Sequence, residues 1–183
     1  MIRSFRGKLL LATPELIDPN FFRTVILVLE HSNEGAIGVV LNRQSDLYSV
    51  DVLPKWNESQ GASSLLHWGG PVQEESLLGL ALYEKSEGNG VATGELGCIK
   101  ILNLNPEVID MTATLDARLY SGYAGWSAGQ LDAEVSTGGW IVADADDFDP
   151  FGDKPEDLWS KVLERQNSFL SKLAQYPDDP RMN

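Results

Sequence analysis

His31 and His67 are the two side chains of this 183-residue sequence whose ordinary pKa places proton transfer near neutrality. His31 follows a strand-like apolar run and opens an Asn/Gly turn, a position where catalytic and binding groups are often carried. It suits a general acid/base or a ligand, and equally a hairpin cap bonded to turn backbone, which is the favoured reading. His67 stands beside Trp68 in another apolar run and reads as a strand residue turned outward. With two histidines and one cysteine no Cys/His metal set can be assembled. Asp144, Asp146, Asp147, Asp149 and Asp153 invite a calcium reading, but their order is not the EF-hand pattern and Pro150-Phe151 interrupts it. A solvated acidic turn is the reading, and neither a metal nor a cofactor is expected.

Arg23 and Arg43 stand at the ends of strand-like runs, where planar guanidinium groups could grip a carboxylate or phosphate. Pairing with Glu15, Asp18 or Glu30 is the plainer role. Gly69-Gly70-Pro71 lacks the Lys and Ser/Thr of a phosphate-binding P-loop, and no Gly-x-Gly-x-x-Gly follows a strand. Ser127 lacks the flanking glycines of a nucleophile elbow and reads as the N-cap of a helix starting at Gln130, whose first N–H groups could hold an anion. The densest cluster is Gly122-Tyr-Ala-Gly-Trp126 with Gly129-Gln-Leu131. Glycine at that frequency signals positive-φ backbone or close approach by another chain segment, while Tyr123 and Trp126 bring large surfaces with one polar tip each. The candidate binding set is therefore Thr13, Arg23, His31, Asn42, Arg43, Gly69, Gly70, Tyr123, Trp126, Ser127 and Gln130. No catalytic residue is assigned.

These residues must be held by a framework, and hydrophobic patterning outlines one. Residues 8–12 read as a central strand, apolar on both faces. Residues 24–30 are the strongest strand signal, and with 36–41 they form a hairpin across the turn at 31–35. Residues 46–53 suggest a short helix with Val50 and Leu53 inward, and the polar stretch 55–64 an exposed loop. Further strands are expected at 65–72, 76–83, 91–93, 98–102, 117–123 and 139–143. Short helices are expected after Asn105, with Pro106 at the first position, and at 130–135. Residues 154–175 form an amphipathic C-terminal helix with Leu158, Trp159, Val162, Leu163, Phe169, Leu170 and Leu173 on one face, and 176–183 a frayed tail. Cys98 reads as a small buried hydrophobe. Many short strands mixed irregularly with few helices give an α+β fold, one domain over residues 1–183.

Composition narrows the function classes. Net charge is −13, with 43% apolar and 22% charged residues. An acidic chain with no basic stripe and no helix-turn-helix pattern is a poor direct ligand for nucleic acid. No apolar run approaches bilayer-spanning length, and the basic start lacks the apolar core of a signal peptide, so the expected location is cytoplasmic, with no membrane partner. A single cysteine fits a reducing compartment. An uncovered sheet edge or helix face leaves an oligomer open.

Gly7-Lys-Leu-Leu-Leu-Ala-Thr-Pro14, Asp18-Pro19, Phe22-Arg23, His31, Gly35-Ala-Ile-Gly-Val-Val-Leu-Asn-Arg43, Trp68-Gly-Gly-Pro-Val72 and the Gly122–Leu131 cluster together resemble the YqgE/AlgH family, in its order and over most of the chain up to Ile141. The resemblance implies a compact α+β fold with a mixed, partly barrel-like sheet flanked by helices. It carries the label of transcriptional regulator and no accepted catalytic set. Ser127-Ala128, where relatives commonly have a Gly-Pro-like pair, and Gly138-Gly139 before Trp140 depart from the family pattern. Three functions follow in order. First is a non-enzymatic domain presenting the rims 31–43 and 122–130 to a small molecule or protein partner. Second is an enzyme using His31 as general acid/base beside Arg43 or backbone N–H groups. Direct DNA binding comes last.

Overall fold

The computed structural model describes residues 4–16, 18–58, 62–84, 96–107, 109, 111, 113–166 and 169–175. Among the described residues nine strands form one mixed, open sheet: Lys8–Ala12 (β1), Val25–Ser32 (β2), Gly35–Val40 (β3), Gln44–Tyr48 (β4), Leu65–Trp68 (β5), Val72–Tyr83 (β6), Ile99–Leu102 (β7), Thr114–Ser127 (β8) and Trp140–Asp144 (β9). Four short helices flank it: Ser49–Val52 (α1), Gln130–Ser136 (α2), Leu158–Glu164 (α3) and Leu170–Leu173 (α4). The main strand order is β4-β5-β8-β3-β2-β1-β9, and β6 joins both β7 and β8. The expected single α+β domain with a mixed sheet is what forms.

β1 lies between β2 and β9, and Leu9, Leu10, Leu11 and Ala12 are fully buried. A strand covered on both faces needs this unbroken apolar run. β2 and β3 make the hairpin, with a register shift between Val28 and Glu30. The shift is a bulge, and after it the buried alternation resumes at His31, so His31 lies within the strand and not in the turn.

β8 is the common member. Its C-terminal end, Ala124 to Ser127, pairs with β3, its middle runs parallel to β5, and its length from Thr114 to Tyr123 receives β6. The glycine cluster at 122–127 is therefore strand, not the loop implied by ending a strand at Tyr123. Gly70 and Gly122 explain its composition. Gly122 has φ +68° and Gly70 φ +150°, and a Cβ on either would collide with the other segment's backbone. Close approach is the reason for glycine on both sides of this crossing.

Three apolar clusters form the core. Leu9, Leu11, Leu27 and Tyr120 pack under α3 and Phe151 on one face; Leu10, Ile26, Trp126, Leu131 and Trp140 pack under α2 on the other; Leu53, Trp56, Met111 and Leu119 fill the third. The exposed loop expected at 55–64 is thus corrected at its start, while residues 59–61 lie outside the described residues. Residues Pro54–Glu58 form a 3-10 turn, Trp56 is buried, and its indole N–H donates to the Ser63 carbonyl (3.0 Å). One aromatic among polar neighbours gives no periodicity to read. At 46–53 the chain is part strand and then α1, with Leu53 buried and Val50 half-buried. After Asn105 the described residues show a turn, closed by Ile109 N–H to the Asn105 carbonyl (2.9 Å), in place of a helix.

Within 154–175 lie a 3-10 turn (Pro155–Asp157), α3 and α4. Leu158, Trp159, Val162 and Leu163 are buried, whereas Phe169 is exposed. Cys98 is half-buried against the first cluster. The expected strand at 91–93 and the tail 176–183 lie outside the described residues. No helix among the described residues is long and apolar enough to cross a membrane.

Candidate functional site

Most of the sequence-predicted residues fall into three separate places. The first is the outer face of the sheet where β2, β3, β6 and β8 meet. Ile37 pairs with Gly125 and Glu30 with Ile37, so Glu30, Ile37 and Gly125 form one row across three strands. Val72 pairs with Tyr123 beside them. Gly125 has no side chain to fill the row, and the result is an open groove of about 510 Å³ lined by Glu30, Ser32, Glu34, Gly35, Ala36, Ile37, Val72, Tyr123, Gly125 and Trp126. Ala36, Ile37, Val72, Tyr123 and Trp126 supply its apolar and aromatic surface, and nearly as much of the lining is polar. Its charged rim is Glu30 and Glu34, and no Lys or Arg lines it.

Trp126 is mostly turned away from that groove, into the core. Its indole N–H donates to Glu134 Oε2 (2.9 Å), and so does the indole of Trp140 (2.8 Å). Gln130 Nε2 donates to Glu134 Oε1 (2.9 Å). One carboxylate on α2 therefore fixes two tryptophans and the Gln130 amide. Sequence reasoning missed Glu134. The signal available was its place four residues after Gln130, one helical turn on. Ser127 does not cap α2. The N-cap is Gly129 in the left-handed region at φ 73°, without a side-chain bond, and both the N–H and hydroxyl of Ser127 donate to Gln130 Oε1 (3.0 and 3.1 Å). The Ser127 amide is thus spent within the chain, and the first turn of the seven-residue α2 carries the carboxylate of Asp132.

The second place is around His31, which is buried. The Phe5 N–H donates to Nδ1 (3.0 Å), so the ring proton sits on Nε2, 3.2 Å from Asp132 Oδ2. The Phe5 ring stacks on it at 5.2 Å between centroids. Both nitrogens are engaged in holding the N-terminal segment and α2 to β2, and His31 lines neither this groove nor the cavity described next. Its partners differ from the turn backbone expected of a hairpin cap. Thr13 plays a comparable joining role: its N–H and hydroxyl both donate to the Gly139 carbonyl (3.2 and 3.3 Å), tying β1 to the start of β9.

The third place is a smaller cavity of about 230 Å³ lined by Phe22, Arg23, Asn42, Arg43, Glu156, Trp159 and Ser160. Asn42 is a buried clamp, accepting from Val25 N–H and donating to the Arg23 carbonyl (2.8 Å each). Arg43 donates to the Phe22 carbonyl, and burial lowers its pKa from the ordinary value. The Arg23 guanidinium lies 4.7 Å from the Trp159 ring centroid. Arg43 does not share a pocket with Trp126, but Ser32 and Glu34 to Ile37 of the 31–43 rim line the groove together with Tyr123, Gly125 and Trp126 of the 122–130 rim. Gly69 and Gly70 belong to the strand crossing and line neither cavity.

Two polar clusters lie apart from these. His67 is fully buried, not turned outward; its Nδ1–H donates to the Leu65 carbonyl (3.2 Å) and Nε2 accepts from Arg118 (3.0 Å). Burial, and then the Arg118 charge, push its pKa down to about 4. Arg118 also donates to the Gly152 carbonyl (2.9 Å). In the acidic turn Asp149 is buried and accepts two bonds from Arg165 (2.6 Å each), which raises the Arg165 pKa. That carboxylate is part of a structural ion pair, where the sequence suggested a solvated turn.

Comparison with known proteins agrees with the fold and its motifs. The DUF179, AlgH-like, family model matches residues 9–170. A UPF0301 protein of Streptomyces coelicolor is 40% identical, covering 100% of this chain and 97% of the relative, and one of Rhodococcus jostii is 39% identical over 97% and 90%. A crystal structure from Corynebacterium diphtheriae superposes with a TM-score of 0.84 at 28% identity, covering 96% of this chain and 94% of that one. The solution structure of the AlgH protein from Pseudomonas aeruginosa superposes with a TM-score of 0.68 at 29% identity, covering 98% and 100%. With the family model matched over residues 9–170 and a relative 40% identical along the whole of it, this chain belongs to the AlgH-like, UPF0301 family.

Proposed function

We propose that this protein is a non-enzymatic binding domain whose sheet-face groove receives a basic segment of a protein partner. The observation that carries this reading is the groove over Gly125: apolar and aromatic side chains beside polar surface, two glutamates at the rim and, among the described residues, no basic residue in its lining. A Lys or Arg side chain can lay its methylene stem along Ile37 and Val72, bring its charge toward Glu30 and Glu34, and meet the face of Tyr123. The net charge of −13 favours such a partner and disfavours a phosphate backbone. Regulation of transcription, the label that accompanies the family resemblance, would then act through a protein and not through direct DNA contact. The acid/base reading of His31 receives less support, because both ring nitrogens are bonded internally and neither cavity reaches them.

Gly125→Val provides the test. A Cβ there meets the Tyr123 ring at 3.5 Å and Val72 at 3.7 Å, ordinary contact distances, so the strand accommodates it while the groove fills. In an NMR titration with a short Arg/Lys-rich peptide, the amides of Ile37, Tyr123 and Gly125 are expected to shift saturably and less so at high salt. Gly125→Val is expected to weaken that binding about tenfold or more with its fold intact. Equal binding by the variant, or equal response to a peptide of acidic composition, would remove the groove as the site.

A further inference from the structure

The geometry points to a second site, independent of the groove: the cavity between Arg43, Arg23 and Trp159 binds a small organic anion through its carboxylate or phosphate group. Two guanidinium groups and one carboxylate, Glu156, line a pocket of about 230 Å³ in a chain of net charge −13. This is a local inversion of the protein's charge. Among the described residues no carboxylate forms an ion pair with Arg43, whose guanidinium is partly withdrawn from water and depressed in pKa by that burial. A cation partly withdrawn from water and not ion-paired among the described residues is less favourable than a solvated one, and an incoming oxyanion would relieve it. The Phe22 carbonyl anchors Arg43 through one terminal nitrogen, which orients the planar fork.

Arg23 adds two observations. Its backbone has φ 53°, in the left-handed region that costs a non-glycine residue about 1 kcal/mol or more. The Asn42 side chain holds this conformation by bonding both the Arg23 carbonyl and the Val25 N–H. The same turn lays the Arg23 guanidinium over the Trp159 face, 4.7 Å from its centroid. The Trp159 indole N–H is already spent on the Ala12 carbonyl (2.9 Å), so the ring contributes a rigid wall and not a donor. Strained backbone, a clamp and an aromatic wall together position a guanidinium at a cavity, the arrangement that suits a compact oxyanion. A volume below that of drug-sized pockets sets the ligand as a small metabolite.

The experiment is a 1H–15N NMR titration of the full chain with inorganic phosphate and, separately, with succinate, ionic strength held constant with chloride. The Trp159 indole and Arg43 Nε–H resonances are expected to move saturably with at least one of the two anions, and the preferred one identifies the head group. Arg43→Gln is expected to weaken that binding about tenfold or more. Arg43→Lys keeps a cation and a donor for Phe22 but loses the fork, and is expected to lie between. Gly125→Val is expected to bind the anion as the parent does, which separates this site from the groove. Linear or absent shifts with both anions, or unchanged affinity in a folded Arg43 variant, would overturn the assignment.

Discussion

Glu134 orders the region that the glycine-rich stretch advertises. Its carboxylate accepts from the Trp126 and Trp140 indoles and from Gln130, so each oxygen is occupied and α2 is pinned to two strands. Substitution Glu134→Gln keeps the shape but places an amide NH2 where one oxygen was, turning donor against donor. A loss of about 1–3 kcal/mol is expected. Urea denaturation of the variant checks it, and a midpoint indistinguishable from the parent would show the network to be ornamental. By contrast Trp126 and Tyr123, legible from the sequence as large surfaces with polar tips, differ in their duties: one is anchored in the core and the other faces the groove.

At the scale of elements, the crossing of the Gly69–Gly70 segment with β8 tolerates no added side chain. Gly122 and Gly129 share a left-handed backbone, at φ +68° and +73°, but not a surrounding. A Cβ at Gly122 strikes the Gly70 carbonyl, whereas at Gly129 nothing lies within 4 Å. Gly129→Ala is therefore expected to cost about 1 kcal/mol, the backbone term alone. Gly122→Ala adds displacement of a neighbouring strand segment and is expected to exceed about 3 kcal/mol or to prevent folding. Thermal unfolding of the pair measures the difference. Similar stabilities would mean the crossing relaxes without resistance.

For the whole molecule, pH is the informative variable. Folded His67 titrates near 4, against an ordinary 6.5, because it is buried beside Arg118. Between those values the unfolded chain takes up a proton that the folded chain refuses. The stabilisation is complete above about pH 6.5 and declines as pH falls toward 4, by about 3 kcal/mol at most. Denaturant midpoints measured across this range are expected to fall with acidification, and His67→Gln to flatten the dependence. A His67→Gln profile as steep as the parent's would assign the acid sensitivity to carboxylates instead.

Sequence alone determined what local patterning can encode. The unbroken Leu9-Leu10-Leu11 run requires a strand covered on both faces, the Asn/Gly turn closes the β2–β3 hairpin, and the paired glycines announce a close backbone approach. The split of one imagined site into a groove, a buried histidine and an arginine cavity was decided by tertiary structure. Which side of the sheet His31 faces depends on a bulge in β2, and the meeting of Trp126 with β3 depends on β8 being shared by both halves of the sheet. Neither is a property of any short window. His67 and Trp56 make the same point, since a lone apolar or titratable side chain has no period, and only the fold that closes over it says whether it is buried.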